Sequence, residues 1–194
     1  MDSKVTDKLI KNGLWLFIAL LPTLAFASVH KHVKHKHWTN EYDRYFKKYS
    51  KHYFGPNFSW HWFKAQAIAE SGLRPRAKSR SGAKGIMQIM PRTYKEISSK
   101  NPVLGDIHKP QWNIAAGIYY DRQLYKKWKK RGITTEHRLD YTFASYNAGF
   151  SRMLRLYHKK KNSQGNTPKW EELKPHAPKE TRNYVTRINK LMQH

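Results

Sequence analysis

The chain has 194 residues and a formal net charge of +25 at pH 7, from 38 Lys and Arg residues against 13 Asp and Glu residues. Its hydrophobic content of 39% and aromatic content of 14% are enough for one packed domain and exclude a wholly disordered protein. Cysteine is absent, which excludes disulfides and a lipid attached to cysteine, so the fold must be stabilised by packing alone.

The N-terminus has the pattern of a secretory signal. Three lysines precede an apolar run from Leu14 to Ala27, which ends in the small-x-small triplet Ala25-Phe26-Ala27. A retained membrane anchor is the alternative, but the run is interrupted by Pro22 and is shorter than the roughly 20 residues that span a bilayer. We therefore predict a signal peptide over residues 1–27, cleavage after Ala27, and export to the periplasm or the extracellular wall. Membrane contact is expected only if this segment is retained.

Residues 28–40 are predicted to form a basic linker, in which histidine and lysine alternate from His30 to His37. Imidazole clusters can bind metal, but the neighbouring lysines repel a cation and no acid or cysteine completes a site. A flexible linker is the favoured interpretation, and no metal is predicted.

From residue 41 to 194 the periodicity predicts helices separated by polar loops, which is typical of an all-α fold with no convincing strand. The predicted helices are Tyr42–Tyr53, Trp60–Glu70 with Ser59 as its cap, Arg92–Ser98, Trp112–Lys130, Arg138–Tyr146, Ser151–Lys159 and Thr181–Gln193.

Glu70 is the candidate catalytic residue. Phe63, Ala67 and Glu70 share one face of the second helix, and the other faces are also largely apolar, so the carboxyl should be mostly buried. Gly72 suits a left-handed end to this helix. An isolated glutamate is more often exposed, but a buried one has a raised pKa and can act as a general acid near neutral pH.

Four motifs occur in order along the chain, and a fifth, on a predicted helix, lies between the second and the third. They are Glu70-Ser71 with Ser79 in the loop, Gly85-Ile86-Met87-Gln88 with Met90-Pro91, Asn113-Ile114 with Gly117 and Tyr120, Ser145-Tyr146-Asn147-Ala148-Gly149, and Glu180-Thr181 with Tyr184-Val185. On these motifs the chain resembles the family 1 soluble lytic transglycosylases, which have a goose-type-lysozyme-like helical domain with a glycan groove. Ser145 replaces the alanine usual in that family.

The resemblance implies cleavage of peptidoglycan between N-acetylmuramic acid and N-acetylglucosamine, with formation of a 1,6-anhydro ring and without a cofactor. It implies that Glu70 is the acid and base and that Tyr146 hydrogen-bonds it. Substrate contacts are implied for Ser79, Met87, Gln88, Met90, Tyr120, Asn147, Glu180 and Tyr184. Some of these have structural alternatives: the methionines and Tyr120 as core residues, Asn147 as a turn residue, and Glu180 as a partner of Arg182.

Two other functions stay open at this point. A lysozyme-like hydrolase would cleave the same bond with water, and a polycationic wall-binding protein would keep the domain as a scaffold. The positive charge favours anionic envelope polymers as further partners. Nucleic acid is not predicted, because the chain shows no helix-turn-helix, zinc-finger or RNA-binding signature.

Overall fold

The computed structural model describes residues 35–161 and 166–193. This part is all-α, as predicted, with two isolated antiparallel bridges and no named strand. In chain order it contains α1 (Asp43–Phe54), α2 (His61–Ser71), α3 (Pro91–Lys100), α4 (Pro110–Lys129), α5 (Thr135–Ala148), α6 (Phe150–Lys160), α7 (Trp170–Leu173), a 3-10 turn (Lys174–His176) and α8 (Lys179–Met192).

Helix α4 forms the centre of the core. It packs against α1 on one side and α5 on another, and its apolar residues Ile114, Ile118, Leu124 and Trp128 are all buried. Pro110 occupies the first turn, where its missing N–H leaves no intrahelical bond unmade. Helix α4 therefore supports α5 from the core side.

Helix α2 ends at Ser71, and Gly72 follows in the left-handed conformation with φ 64° and ψ 35°. Glycine adopts this region without the steric cost that a Cβ imposes, so the predicted helix end is confirmed. The chain then turns back on itself through two bridges, Lys78 with Lys84 and Lys84 with Ile89. Residues 77–89, here called the hairpin loop, therefore lie beside the end of α2.

The hairpin loop and α4 lock each other in place. Asn113 Oδ1 accepts from the Met87 N–H at 2.8 Å, and Asn113 Nδ2 donates to the Lys84 carbonyl at 3.0 Å. A Cβ on Gly117 would lie 2.7 Å from Met87 Cε, so glycine is required where the loop meets the helix. The two motifs that carry these residues therefore form one packing unit.

Helices α5 and α6 are separated by a single residue, Gly149, with φ 85°. Helix α8 packs against both α2 and α5. The C-terminal helix thereby reaches the end of α2, although the two are far apart in sequence.

Several predicted boundaries differ from the structure. Ser59 does not cap α2: Trp60 is the N-cap residue, and Ser59 Oγ lies 3.2 Å from His61 Nδ1 instead. The short α7 and the 3-10 turn were not predicted, because four residues are too few to show a helical period.

Part of the sequence-based prediction lies outside the described residues, including the signal segment and most of the basic linker. Residues 35–40 are described, and they lie against the domain. The His37 ring would be 3.4 Å from a Cβ on Gly72, and Trp38 stacks on His61 at 6.1 Å. Of the helices in the described ranges, none is long and apolar enough to cross a membrane.

Candidate active site

Glu70 lies in the last turn of α2 and lines a cleft of about 520 Å³. Helices α2, α5 and α8 and the hairpin loop all contribute to the walls of this cleft. The lining residues are Ala69, Glu70, Ser79, Ser81, Ala83, Gln88, Met90, Tyr146, Asn147, Glu180, Asn183, Tyr184 and Arg187. Eight of the ten predicted site residues are thus brought together, and the other two lie behind the cleft wall.

The tyrosine that hydrogen-bonds Glu70 is Tyr184, not Tyr146 as the sequence predicted. Tyr184 Oη donates to Glu70 Oε1 at 2.6 Å. Tyr146 Oη donates to the Met87 carbonyl at 2.8 Å, so its hydroxyl fixes the hairpin loop while its ring lines the cleft. The prediction was wrong because the packing of α8 on α2, which decides which hydroxyl reaches Glu70, cannot be read from local patterns.

Burial raises the pKa of Glu70 from 4.5 to about 7, as the largest of three influences. The hydrogen bond from Tyr184 stabilises the carboxylate and lowers the pKa, whereas the negative charge of Glu180 raises it. Desolvation prevails, so both protonation states of Glu70 are populated near neutral pH. A single group of this kind can give and recover a proton in one reaction cycle.

Both tyrosines stay neutral. Burial, followed by the nearby charge of Glu70, raises the pKa of Tyr146 and of Tyr184 well above the ordinary value of 10. Each hydroxyl therefore keeps its proton near neutral pH and acts as a hydrogen-bond donor.

The hairpin loop supplies Ser79 and Gln88 to the cleft. Ser79 Oγ accepts from the Ala83 N–H at 3.0 Å, which leaves its hydroxyl hydrogen for a ligand. Gln88 has φ 45°, and its Nε2 donates to the carbonyls of Gly85 at 2.9 Å and Ala77 at 3.2 Å. The amide oxygen of Gln88 is the atom that can accept a hydrogen bond from a ligand.

Of the two predicted methionines, Met90 lines the cleft with 39% of its surface exposed. Met87 is fully buried in the core, so its predicted sugar contact is wrong. Met87 has a structural role in its motif. Its side chain fills the space beside Gly117, and its backbone N–H and carbonyl are hydrogen-bonded to Asn113 and Tyr146.

The remaining predicted residues divide between cleft and core. Asn147 lines the cleft and accepts from Thr181 Oγ1 at 2.7 Å, and Glu180 is an exposed lining residue. No ion pair joins Glu180 to Arg182 in the described part of the chain; Arg182 donates to the Pro175 carbonyl instead. Tyr120 does not line the cleft: it packs behind Tyr146 with ring centroids 5.3 Å apart, and burial raises its pKa to about 12.

A buried acid near the site, Asp121, was missed. Asp121 is fully buried on α4, where Gln66 Nε2 of α2 donates to its Oδ1 at 3.2 Å. Burial raises its pKa well above 3.8, and the Glu70 charge adds to this effect. Within the described ranges, Asp121 Oδ2 and Gln66 Oε1 have no hydrogen-bond partner. The sequence did hold a signal, because Asp121 falls on the buried stripe of α4, three residues after Ile118.

No group of three or more His, Asp or Glu side chains within residues 35–161 and 166–193 is arranged to bind a metal ion. The prediction that neither metal nor cofactor takes part stays a prediction.

The sequence model of the Transglycosylase SLT domain matches residues 45–170, which is more than half of the chain. The chain belongs to this family. The fourth motif, at Glu180 to Tyr184, lies beyond the matched residues, yet α8 carries it to the SLT-domain cleft.

Two similar curated proteins are membrane-bound lytic murein transglycosylase F from Aliivibrio fischeri and from Photobacterium profundum. They are 29% and 31% identical to this chain, in each case over 69% of its length. Among solved structures, the 70-kDa soluble lytic transglycosylase of Escherichia coli matches 79% of the chain with a TM-score of 0.63 and 28% identity. A complex of the 70-kDa soluble lytic transglycosylase with bulgecin A matches with a TM-score of 0.63 and 27% identity.

The chain spans about a quarter of the length of these relatives: 25% and 24% of the two curated proteins and 24% of the Escherichia coli structure. The likeness therefore concerns the SLT domain and not the remainder of those proteins.

Proposed function

We propose that this protein is a peptidoglycan lytic transglycosylase, which cleaves the β-1,4 bond between N-acetylmuramic acid and N-acetylglucosamine and leaves 1,6-anhydro ends. The observation that carries the proposal is Glu70, an acid with a pKa of about 7 in a cleft of the SLT domain. The names of the relatives, lytic murein transglycosylases, support the same activity.

In the first step Glu70 acts as the acid. Tyr184 occupies Oε1, which leaves Oε2 to give its proton to the glycosidic oxygen as the bond to C1 of the muramoyl sugar breaks. Among the described residues no second carboxylate is hydrogen-bonded to Glu70, and Glu180 is the other acid that lines the cleft. We assign the stabilisation of the positive centre at C1 to the acetamido group of the substrate. This differs from the two-carboxylate arrangement of most glycosidases.

In the second step Glu70 acts as the base. The Glu70 carboxylate takes the proton from the C6 hydroxyl of the same muramoyl sugar, and O6 forms a bond to C1. The acid is regenerated, the ring is closed and no water is consumed. A pKa near 7 suits both halves, because neither protonation state is far from the prevailing pH.

Five cleft residues are suited to hold the sugars: Ser79, Gln88, Met90, Asn147 and Glu180. Tyr184 orients Glu70. Tyr146 lines the cleft and fixes the hairpin loop, whereas Met87 and Tyr120 support these residues from behind.

The test is digestion of purified glycan strands followed by mass spectrometry of the products. We expect anhydro ends from the wild-type protein, and we expect Glu70→Gln to abolish turnover because an amide can neither donate nor recover the proton. Glu180→Gln should retain partial activity. Glu136→Gln is the matched control, because Glu136 is 83% exposed in the first turn of α5 and does not line the cleft.

Loss of activity in Glu70→Gln should not come from unfolding. The pKa of Glu70 rises on folding, so the wild-type protein loses stability as the pH increases from about 4.5 to 7, and the glutamine variant does not. Reducing ends instead of anhydro ends would identify a lysozyme-like hydrolase. Wall binding without any cleavage would identify the non-catalytic polycationic protein.

An envelope location belongs to this proposal. The signal-like segment supports export, and the mature chain would begin at Ser28. N-terminal sequencing of protein from envelope fractions tests this: Ser28 at the N-terminus supports it, and an intact Met1 in membranes indicates an anchor.

A further inference from the structure

A second cleft, of about 570 Å³, adjoins the first. Its lining residues are Glu70, Arg74, Pro75, Arg76, Ala77, Lys78, Ser79 and Gln88. Glu70, Ser79 and Gln88 line both clefts, so the candidate catalytic carboxyl lies where the two meet.

The basic side chains of the second cleft alternate with half-buried residues along the loop that follows α2. From residue 74 to 80, exposed and half-buried positions alternate: the exposed ones are Arg74, Arg76, Lys78 and Arg80, and the half-buried ones are Pro75, Ala77 and Ser79. The Ala77 N–H donates to the Arg74 carbonyl at 3.3 Å, so residues 74–77 form a turn from which Arg74 and Arg76 are exposed. The Ala77 carbonyl accepts from the Gly85 N–H at 2.8 Å and from Gln88 Nε2 at 3.2 Å, which fixes the segment to the hairpin loop.

Hydrogen bonds to Ser71 hold the backbone and the Nε atom of Arg74. Arg74 N–H donates to Ser71 Oγ at 3.1 Å, and Arg74 Nε donates to the Ser71 carbonyl at 2.8 Å. Among the described residues no partner is bonded to the two terminal nitrogens of the guanidinium, which are therefore left for a ligand. A guanidinium held in this way loses less conformational entropy when it binds a carboxylate.

No acidic side chain of the described residues neutralises these cations. The ion pairs within those ranges involve Lys64 with Asp43, Lys100 with Glu96, and His137 with its two glutamates. The second cleft therefore presents three positive charges, Arg74, Arg76 and Lys78, against the single acid Glu70.

These cations do not serve to tune Glu70. The influences on its pKa are burial, the Tyr184 hydrogen bond and the charge of Glu180, and none of the three cations is among them. They are exposed and line the cleft, so their charges are available to a molecule that occupies it. The first cleft differs, because there Arg187 shares the lining with the acid Glu180.

We propose that Arg74, Arg76 and Lys78 bind carboxylates of the stem peptide on the strand that Glu70 cleaves. This inference rests on the proposed function. The sugar backbone of peptidoglycan is uncharged at this position, and its free carboxylates lie on the peptides attached to the muramoyl lactyl group. A cationic wall next to the acid gives a preference for strands that carry peptides over stripped strands, through charge-assisted hydrogen bonds.

The test compares Arg76→Gln/Lys78→Gln with Arg155→Gln/Lys159→Gln, a control with the same charge change on the exposed face of α6. The ratio of kcat/KM on peptide-bearing strands to that on amidase-stripped strands is measured at low salt. We expect the double variant in the cleft to lower this ratio by about three- to tenfold, because each exposed charge pair changes affinity by less than about tenfold. The control should leave the ratio unchanged.

Binding of the same two substrates to Glu70→Gln provides a readout that does not require activity. If the wild-type protein cleaves nothing, the proposed function fails, but a loss of peptide preference when Arg76→Gln/Lys78→Gln is added to Glu70→Gln still supports the inference. An unchanged ratio in the cleft variant, or an equal fall in the control, would overturn it. A competition experiment distinguishes the ligands. The free stem peptide should displace peptide-bearing strands from Glu70→Gln. Stronger displacement by inorganic phosphate at equal ionic strength would overturn the assignment to carboxylates.

Discussion

The pair Glu70 and Tyr184 sets the pH dependence of the candidate site. Tyr184→Phe removes the donor that lowers the Glu70 pKa, so the group should lose its proton at a higher pH. We expect the alkaline limb of the pH profile of kcat/KM to move upward from about pH 7 and the maximal rate to fall by about tenfold, as for a lost hydrogen bond to a charged group. The measurement is the pH–rate profile on short strands.

Tyr146→Phe is the matched control. The Tyr146 hydroxyl donates to the Met87 carbonyl and not to Glu70. This variant should therefore lower the rate by loosening the hairpin loop, without moving the alkaline limb of the pH profile. A shift in Tyr146→Phe as large as that in Tyr184→Phe would contradict the assignment of the two hydroxyls.

Asp121 and Gln66 form a buried pair that suits a neutral acid. A proton on Asp121 Oδ2 can be donated to Gln66 Oε1, while Gln66 Nε2 donates to Oδ1, and this satisfies both atoms that otherwise have no partner among the described residues. Because the pKa of Asp121 is raised on folding, its contribution to stability is present below about pH 4 and is lost as the pH rises.

Asp121→Asn should therefore become more stable than the wild-type protein as the pH increases from about 4 to 8. An Asn amide reproduces the protonated acid, donating to Gln66 Oε1 and accepting from Gln66 Nε2. The difference in the free energy of unfolding grows by at most about 1.4 kcal/mol per pH unit. Urea unfolding at several pH values measures it, with exposed Glu136→Gln as the control. A difference that does not change with pH would mean that Asp121 is charged in the folded protein.

The residue identities of the site were largely predictable from the motifs, but the roles of several residues were not. Met90 and Met87 have the same chemistry and lie three residues apart, yet one lines the cleft and the other fills the core. Tyr184, and not Tyr146, reaches Glu70 because α8, which is distant in sequence, packs on α2. Asp121 was overlooked because an acid on a buried stripe contradicts the usual pattern.

At the scale of elements, the contact between α4 and the hairpin loop decides how the site is supported. Gly117→Ala would place a Cβ 2.7 to 2.8 Å from three Met87 side-chain atoms. Alanine gains about 1 kcal/mol over glycine in a helix, whereas overpacking costs about 1–3 kcal/mol. We expect a net loss of roughly 1 kcal/mol in the free energy of unfolding, and a loss of activity because the Met87 carbonyl holds Tyr146.

Urea unfolding and strand cleavage measure the two effects of Gly117→Ala. Lys126→Ala on the exposed face of the same helix is the control, and it should change stability by less than about 0.5 kcal/mol. A variant as stable and as active as wild type would show that the hairpin loop can move away from α4 without consequence for the site.

The long helices could be predicted because their apolar residues recur with the helical period. Helix α4 is the clearest example: the predicted range Trp112–Lys130 differs from the observed Pro110–Lys129 by two residues at the start and one at the end. Elements of one turn carry no such period, so α7 was missed. The hairpin loop is hydrogen-bonded to Asn113, which lies on another element, and a local pattern could not show this contact.

At the scale of the whole molecule, the net charge of +25 should have opposite effects on stability and on wall binding. Raising the salt concentration screens repulsion among the cations, with a Debye length of about 30 Å at 0.01 M falling to about 8 Å at 0.15 M. We expect Tm to rise over this range while sedimentation with purified walls weakens. Thermal unfolding and co-sedimentation in the same buffers measure both trends.

A chain lacking residues 28–34 tests the part of the basic linker that precedes the described residues. The deletion stops before His37 because that ring lies against Gly72. It should weaken wall sedimentation at low salt, while the cleavage of short soluble strands stays within about twofold of wild type. A collapse of activity on short strands would give the linker a role in the site.

The position of Met90 makes the cleft sensitive to oxidants. Met90 lies at the rim with 39% of its surface exposed, whereas the equally oxidisable Met87 is enclosed in the core. Peroxide or hypochlorous acid would convert the exposed thioether into a sulfoxide, which is polar, chiral and reversible by methionine sulfoxide reductases. Because Met90 lies outside the buried core, this change would turn an apolar part of the cleft lining into a strong acceptor. A protein built in this way would carry its redox vulnerability in the candidate cleft and not in its core.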